Sequence, residues 1–279
     1  MGKKKTDEKV TIKLITPDNM VEFIQLLTPE DIFGVNDGIL TSFAACIGEE
    51  EIPASIISAH IYPEHITVKR LFTLPEYRRQ HLATALMDVI KSRPEEAKLP
   101  IYVFHTENEE IDAFLKDASF HEEDSKFYFV SGTFGNLVDL PAPAEVSNDI
   151  KIKSIMAVPR EAVADFIYRS PYDELIQFPD RATELPFFSD ASILSMQGKE
   201  VKAALLIEES DEDIQITWAY GSDYKQLYNC FYYMKKVLSS DFGTETVIRC
   251  LCTGEKTKTS YSKLFTRHEE IKIHTYRFD

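Results

Sequence analysis

The feature that most constrains this chain of 279 residues is one order of elements written twice. In the first half a strand-like run, Val10 to Ile15, precedes Thr16-Pro17-Asp18 and an amphipathic helix over Met20 to Leu27. After a loop, strands Ile39 to Ile47 and Ile52 to Ile61 flank the acidic turn Gly48-Glu49-Glu50-Glu51. A third strand, Ile66 to Leu74, ends at Pro75 and leads to a helix over Leu82 to Ser92. Ile101 to Thr106 reads as a strand, Glu109 to Lys116 as a helix and Phe120 to Val130 as a closing strand. The second half repeats this with Ile150 to Ile155, a helix over Pro159 to Tyr168, a hairpin around Gly198 and a strand over Ile214 to Ala219. It continues with a helix over Tyr224 to Leu238, a strand over Thr246 to Cys252, a helix over Thr257 to Phe265 and a strand over Ile271 to Phe278.

The turn glycines Gly48 and Gly198 are 150 positions apart, and the strand ends His105-Thr106 and Cys252-Thr253 are 147 apart. A near-constant offset is the mark of a duplicated unit. Between the halves, Gly132 to Asn148 gathers Gly132, Gly135, Pro141 and Pro143 among small and polar residues, as linkers do. The expected organisation is a domain over 1–135, a linker over 136–149 and a second domain over 150–279. Each domain is of the mixed α/β (α+β) class, a central sheet flanked by helices.

Charge narrows the function. The 31 Lys and Arg against 46 Asp and Glu leave a net charge of −15. Such a surface repels phosphate backbones, so a nucleic-acid partner is not expected. It draws in cationic small molecules, or it serves solubility alone. Four cysteines are too few for a disulfide scaffold, and none stands at zinc-ligand spacing with another pair, so no metal is expected. No apolar run reaches the ~18 residues that cross a bilayer. The opening Met1-Gly2-Lys3-Lys4-Lys5-Thr6 lacks the apolar stretch of a signal peptide, and its loose fit to a myristoylation pattern is better read as a chain start. The expected setting is cytoplasmic, with reduced thiols and no membrane partner.

One segment carries chemistry: Leu71-Phe72-Thr73-Leu74-Pro75-Glu76-Tyr77-Arg78-Arg79-Gln80-His81-Leu82-Ala83-Thr84. It reads as a strand, a turn forced by Pro75 and a helix start, where unpaired N–H groups and the helix dipole meet two arginines. That combination suits a pyrophosphate. Plain solvation of the arginines is the competing reading.

Leu74 to Ala83 resembles the pyrophosphate loop of the GNAT superfamily of acyl-CoA N-acyltransferases, whose pattern is Arg/Gln-x-x-Gly-x-Gly/Ala. Element order extends the resemblance over Val10 to Val130, and the second half resembles a degenerate copy. There Gly221-Ser222-Asp223-Tyr224-Lys225-Gln226 lacks the arginine and the later small residues, so no second pyrophosphate site is expected. The resemblance implies acetyl-CoA as cosubstrate, with backbone amides from Arg79, Gln80, His81, Leu82, Ala83 and Thr84 on the pyrophosphate and Arg78 beside them. Phe72, Thr73 and Leu74 would hold the pantetheine arm, one amide polarising the thioester carbonyl. An amine would then attack that carbonyl directly.

Three positions depart from the family's pattern. His81 stands where glycine is preferred, which a side chain tolerates only if the backbone there is not left-handed. Ser119 replaces the glycine of a Gly-Phe pair, and Leu115 stands where the family often places a tyrosine acid. No carboxylate lies between His65 and Leu74. The substitutes are His105, at a strand end facing the cleft, and Glu64, acting through water. Tyr62, Tyr102 and Tyr128 are further proton donors, and Trp218 is either a cation platform or core. The sequence thus supports an acetyl-CoA-dependent N-acetyltransferase acting on an amine, a cationic one being favoured by the charge. Its alternatives are a non-catalytic acyl-CoA binder and a structural protein on the same fold.

Overall fold

A computed structural model describes residues 9–92, 99–140, 150–168, 191–209, 213–221, 224–240 and 242–279. The basic run at 1–8, positions 141–149 of the expected linker, 210–212 of an acidic run and residues 222–223 lie outside those described. In chain order the strands and helices are β1 (Val10–Ile15), α1 (Pro29–Asn36), β2 (Leu40–Ile47), β3 (Ile52–Ile61), β4 (Ile66–Thr73), α2 (Leu82–Lys91), β5 (Ile101–Thr106), α3 (Glu109–Asp117), β6 (His121–Glu123) and β7 (Tyr128–Thr133). The second repeat supplies β8 (Ile150–Ser154), α4 (Arg160–Tyr168), β9 (Ile193–Gln197), β10 (Glu200–Glu209), β11 (Asp213–Gly221), α5 (Tyr224–Leu238), β12 (Val247–Cys252), α6 (Glu255–Ser262) and β13 (Glu269–Phe278).

The residues form two compact units, 9–124 with 274–279, and 125–273. In the first unit β1, β2, β3 and β4 pair antiparallel in that order. β5 then joins β4 in parallel, and the end of β13 lies between β5 and β6. In the second unit β8, β9, β10 and β11 pair antiparallel, β12 joins β11 in parallel, and β7 and the start of β13 follow. The strand expected over Phe120 to Val130 is therefore two strands, β6 in the first unit and β7 in the second. The polar run Glu122-Glu123-Asp124-Ser125-Lys126 has no apolar alternation to carry one strand through.

The repeat is visible at single-residue register. Ser55↔Thr73, Ile56↔Phe72, Ile57↔Leu71 and Ser58↔Arg70 in β3 and β4 recur as Ala203↔Gly221, Ala204↔Tyr220, Leu205↔Ala219 and Leu206↔Trp218, each 148 positions later. The bulge that follows is repeated as well: Ala59 pairs Val68, skipping Lys69, and Ile207 pairs Ile216, skipping Thr217. Bulges bend and re-aim a strand, and a repeated one is a built feature of the unit.

On one face of the first sheet, Leu82, Leu86, Met87 and Ile90 of α2 and Leu115 of α3 pack over Ala45, Ile57, Val68, Ile101 and Tyr276. On the other, Phe23 and Leu26 from the 3-10 turn Met20–Leu26 pack with Val35 of α1 over Ala44, Cys46 and Ile56. α1 was not expected, although Thr28-Pro29-Glu30-Asp31 announces it. Thr28 and Asp31 form a reciprocal capping box with proline in the first turn. No helix among the described residues is long and apolar enough to cross a membrane.

Candidate active site

The site begins where two parallel strands part. β4 and β5 pair only from Ile66↔Ile101 to Val68↔Val103, whereas β4 stays on β3 as far as Ser55↔Thr73. Residues 69–73 therefore offer β4's second edge to a crevice at the carboxyl ends of parallel strands, the place where open sheets bind ligands. Backbone alternation decides which amides face it. The Leu74 N–H donates to the Ala54 carbonyl at 3.0 Å, so the amides of Leu71 and Thr73 point to the open edge. Of the expected Phe72, Thr73 and Leu74, Thr73 has the available N–H.

Eight residues, 74–81, join β4 to α2. Pro75–Tyr77 makes a 3-10 turn, and Tyr77 packs against the α2 core, which pins the loop. Arg79 and His81 then adopt φ of 60° and 59°. The expectation that His81 avoids the left-handed region is wrong: the backbone keeps the glycine-type conformation without the glycine. Each such residue costs about 1–2 kcal/mol of steric strain, and strain retained twice within three residues points to a backbone held for a purpose. Alternating left-handed residues turn successive N–H groups toward one concavity, an anion nest.

α2 extends that concavity. Its first helical bond runs from the Ala85 N–H to the His81 carbonyl at 3.0 Å, so Leu82, Ala83 and Thr84 contribute N–H groups without intrahelical acceptors. Arg78 donates from Nε to the Thr73 carbonyl at 3.3 Å, and both Arg78 and Gln80 are exposed. The Arg79 side chain is 90% exposed, 3.8 Å from Glu110 of α3. Donor N–H groups, a helix N-terminus and two accessible guanidinium groups together suit a diphosphate.

His105 and Glu64 are not brought together. Glu64 sits in the tight turn closed by the Tyr62 N–H on the His65 carbonyl. At ~3.3 Å per residue, the length of β4 separates that turn from Thr73 by more than about 20 Å. His105 packs beneath α3: Nδ1 lies 2.6 Å from the Thr106 carbonyl and Nε2 3.2 Å from Asp112 Oδ1. Its ring stacks against those of His274 and Tyr276. The Tyr276 hydroxyl donates to Asp112 Oδ1 at 2.8 Å, and burial with that carboxylate pushes its pKa well above the usual range. Leu115, at the position of the family's tyrosine, is buried core. Among the other tyrosines, Tyr102 is buried on β5 against His65 and Phe104, and burial raises its pKa.

A second polar group escaped the sequence because its members lie far apart in the chain. Asp31 of α1 is buried against β4. Its Oδ2 accepts from Arg70 Nη1 at 2.7 Å and from the Thr28 amide at 3.1 Å, and its Oδ1 accepts from Ser58 Oγ at 2.7 Å. Ser42 Oγ donates to Ser58 Oγ at 2.9 Å. Arg70 Nη1 also donates to the Leu26 carbonyl at 2.5 Å, and the guanidinium carbon stands 4.9 Å from the centre of the Phe72 ring. The capping box at Thr28 was the available signal for α1, but nothing in the sequence pairs it with Arg70.

The second unit keeps the parting strands and lacks the loop. β11 and β12 pair from Asp213↔Val247 to Ile216↔Cys250 and then separate, but only two positions, 222–223, lie between β11 and α5. Trp218 is core, packed against Phe166 and Tyr220. The thiols of Cys230 and Cys252 are pushed up to about 12 by burial, and all four cysteines are buried. Among the described residues there is no group of three or more His, Cys, Asp or Glu placed to hold a metal.

Known proteins share this fold. Residues 13–120 match the model of the acetyltransferase (GNAT) family. No match is found among curated proteins by sequence. A tandem GNAT protein from the clavulanic acid biosynthesis pathway is similar over 96% of this chain and 98% of its own, with a TM-score of 0.64 at 8% identity. A conserved protein from Enterococcus faecalis V583 is similar over 96% of this chain and 72% of its own, with a TM-score of 0.60 at 11% identity. A GCN5-related N-acetyltransferase from Kribbella flavida gives 0.57 at 10% identity over 96% and 71%. At such identities the likeness is one of fold.

Proposed function

From the match of residues 13–120 to the acetyltransferase (GNAT) family model, we propose that this protein transfers an acetyl group from acetyl-CoA to a primary amine. The observation that carries the reading is the left-handed pair Arg79 and His81 at the mouth of α2. In this reading the N–H groups of residues 79–84 hold the pyrophosphate of CoA, and Arg78 and Arg79 add charge that a diphosphate recognises. The pantetheine arm runs along the open edge of β4, and the Thr73 N–H polarises the thioester carbonyl where negative charge develops. The amine lone pair forms the C–N bond to the carbonyl carbon. The C–S bond then breaks, the sulfur leaves with the electron pair and takes a proton from water, and the nitrogen gives its surplus proton to water. Water fills the proton roles because the His105 side chain is only 10% exposed, beneath α3 beside Asp112, and Glu64 is remote. The overall negative charge favours an acceptor that arrives as an ammonium ion, which gives one proton to water before its lone pair attacks.

The test is release of free CoA from acetyl-CoA across an amine panel. Amine-dependent release, lowered more than tenfold by Arg78→Glu with Arg79→Glu, is expected; release without dependence on amine or on those arginines contradicts the reading. The buried Leu115 in place of a tyrosine favours a second reading, a non-catalytic acyl-CoA binder. Its signature is binding of acetyl-CoA with no amine-dependent release.

A further inference from the structure

The buried polar chain Ser42–Ser58–Asp31–Arg70 is not needed to build this fold, because the molecule contains the same element without it. Arg70 and Ser58 occupy the register positions that Trp218 and Leu206 occupy in the second unit, beside the same bulge and at the same point where the parallel strands part. There the two positions are filled by apolar core. Burying a carboxylate and half-burying a guanidinium carries a desolvation cost that well-packed apolar residues avoid. The first unit bears that cost at the crevice and the second does not.

The geometry of Arg70 shows what the group is suited to hold. Asp31 and the Leu26 carbonyl both take Nη1. The ring of Phe72 lies against the guanidinium, which is fixed in one orientation with 26% of the side chain exposed. Nε and Nη2 donate to no described residue, and they form the side-on edge whose two parallel N–H groups match the two oxygens of a carboxylate. Asp31 is itself satisfied on both oxygens, so it positions Arg70 and leaves that edge free. Arg70 is two residues before Phe72 and three before Thr73, ~3.3 Å per residue along β4. An acceptor gripped there by its carboxylate would hold an amine a few ångströms along the strand, at the open edge where the thioester carbonyl is proposed to lie.

We propose that the acceptor carries a carboxylate beside its amine, as an amino acid does, and that the Nε and Nη2 edge of Arg70 binds it. This rests on the acetyl-transfer reading. The net charge of −15 does not oppose it, because exposed charges beyond about 8 Å are largely screened at physiological salt while Arg70 acts in contact.

The experiment compares acetylation of the twenty amino acids with that of their α-amides, in the full chain, with the acetyl-CoA-dependent rise in melting midpoint measured in parallel. At least one amino acid is expected to exceed its amide more than tenfold in kcat/KM. Arg70→Leu should erase that preference through acceptor KM while the rise with acetyl-CoA persists, and Arg70→Lys should restore only part of it because the fork is lost. Asp31→Asn should also raise acceptor KM. Asp31→Leu with Ser58→Leu and Arg70→Trp, which gives the latter two positions their second-unit residues, keeps the fold and guards against a merely unfolded variant. Amides equal to or better than amino acids, a preference that survives Arg70→Leu, or no turnover of either class overturns the proposal while midpoint stabilisation by acetyl-CoA persists. Absence of that stabilisation in the wild type overturns the acetyl-CoA reading itself.

Discussion

The connection from β4 to α2 and the connection from β11 to α5 start from the same bulge, at the same register, and reach corresponding helices. One takes eight residues and holds two of them left-handed; the other takes two. The flanking strands do not need the extra length, since the second unit keeps the parting of β11 and β12 with a link of two positions. Difference between duplicated elements separates what the fold requires from what it does not, and here it singles out residues 74–84, the proposed cosubstrate loop.

The largest expected effect comes from erasing that difference. Replacing residues 74–81 by the two-residue link of the second unit should abolish stabilisation by acetyl-CoA, measured as the shift in melting midpoint at millimolar ligand. A shift of wild-type size would place the site elsewhere. Next in size is the reverse exchange at the buried position. Trp218→Arg puts a charge into a site with neither a carboxylate nor a serine at the Leu206 position, and should cost about 3–5 kcal/mol in denaturant unfolding. A change below about 1 kcal/mol would remove the argument that the two positions differ in polarity for a reason.

A pH prediction follows from the thiols. Cys230 and Cys252 have pKa values near 12, so at pH 8 they are almost wholly protonated and resist alkylation in the native state. A thiol whose folded pKa lies above its unfolded value disfavours the folded state once pH exceeds the unfolded value near 8.5, so stability is flat below that pH and falls as pH climbs toward 12, because only the unfolded chain ionises freely. Iodoacetamide at pH 8 should label them only after denaturation; rapid native labelling would contradict their burial. The smallest expected effect is at His81. His81→Gly removes the left-handed strain of about 1–2 kcal/mol, less about 0.5–1 kcal/mol of added chain entropy, and should raise stability slightly without weakening acetyl-CoA binding. Loss of stability in that variant would mean that the His81 side chain makes contacts that outweigh the strain.

Much of this contrast was legible before any coordinates. The alternation of strands and helices located most elements, and Gly48 and Gly198 sit at left-handed turns with φ of 78° and 62°. The loop was legible because Pro75, the arginines and Ala83 are contiguous. What escaped detection depends on pairings distant in sequence. The Asp31–Arg70 contact joins positions 39 apart, and the Tyr276–Asp112 contact joins positions 164 apart. Bulges leave no residue signature at Lys69 or Thr217, and the left-handed backbone at Arg79 and His81 runs against the local preference of both side chains. The division of Phe120 to Val130 between two units could not be read from a segment that is apolar at both ends.

The central claim is one cosubstrate site in a chain with two copies of the fold, and titration calorimetry with acetyl-CoA tests it most directly. The account predicts a single binding event with a stoichiometry of one per chain, lost in Arg78→Glu with Arg79→Glu. Two sites per chain, or one that survives the charge reversal, would contradict it.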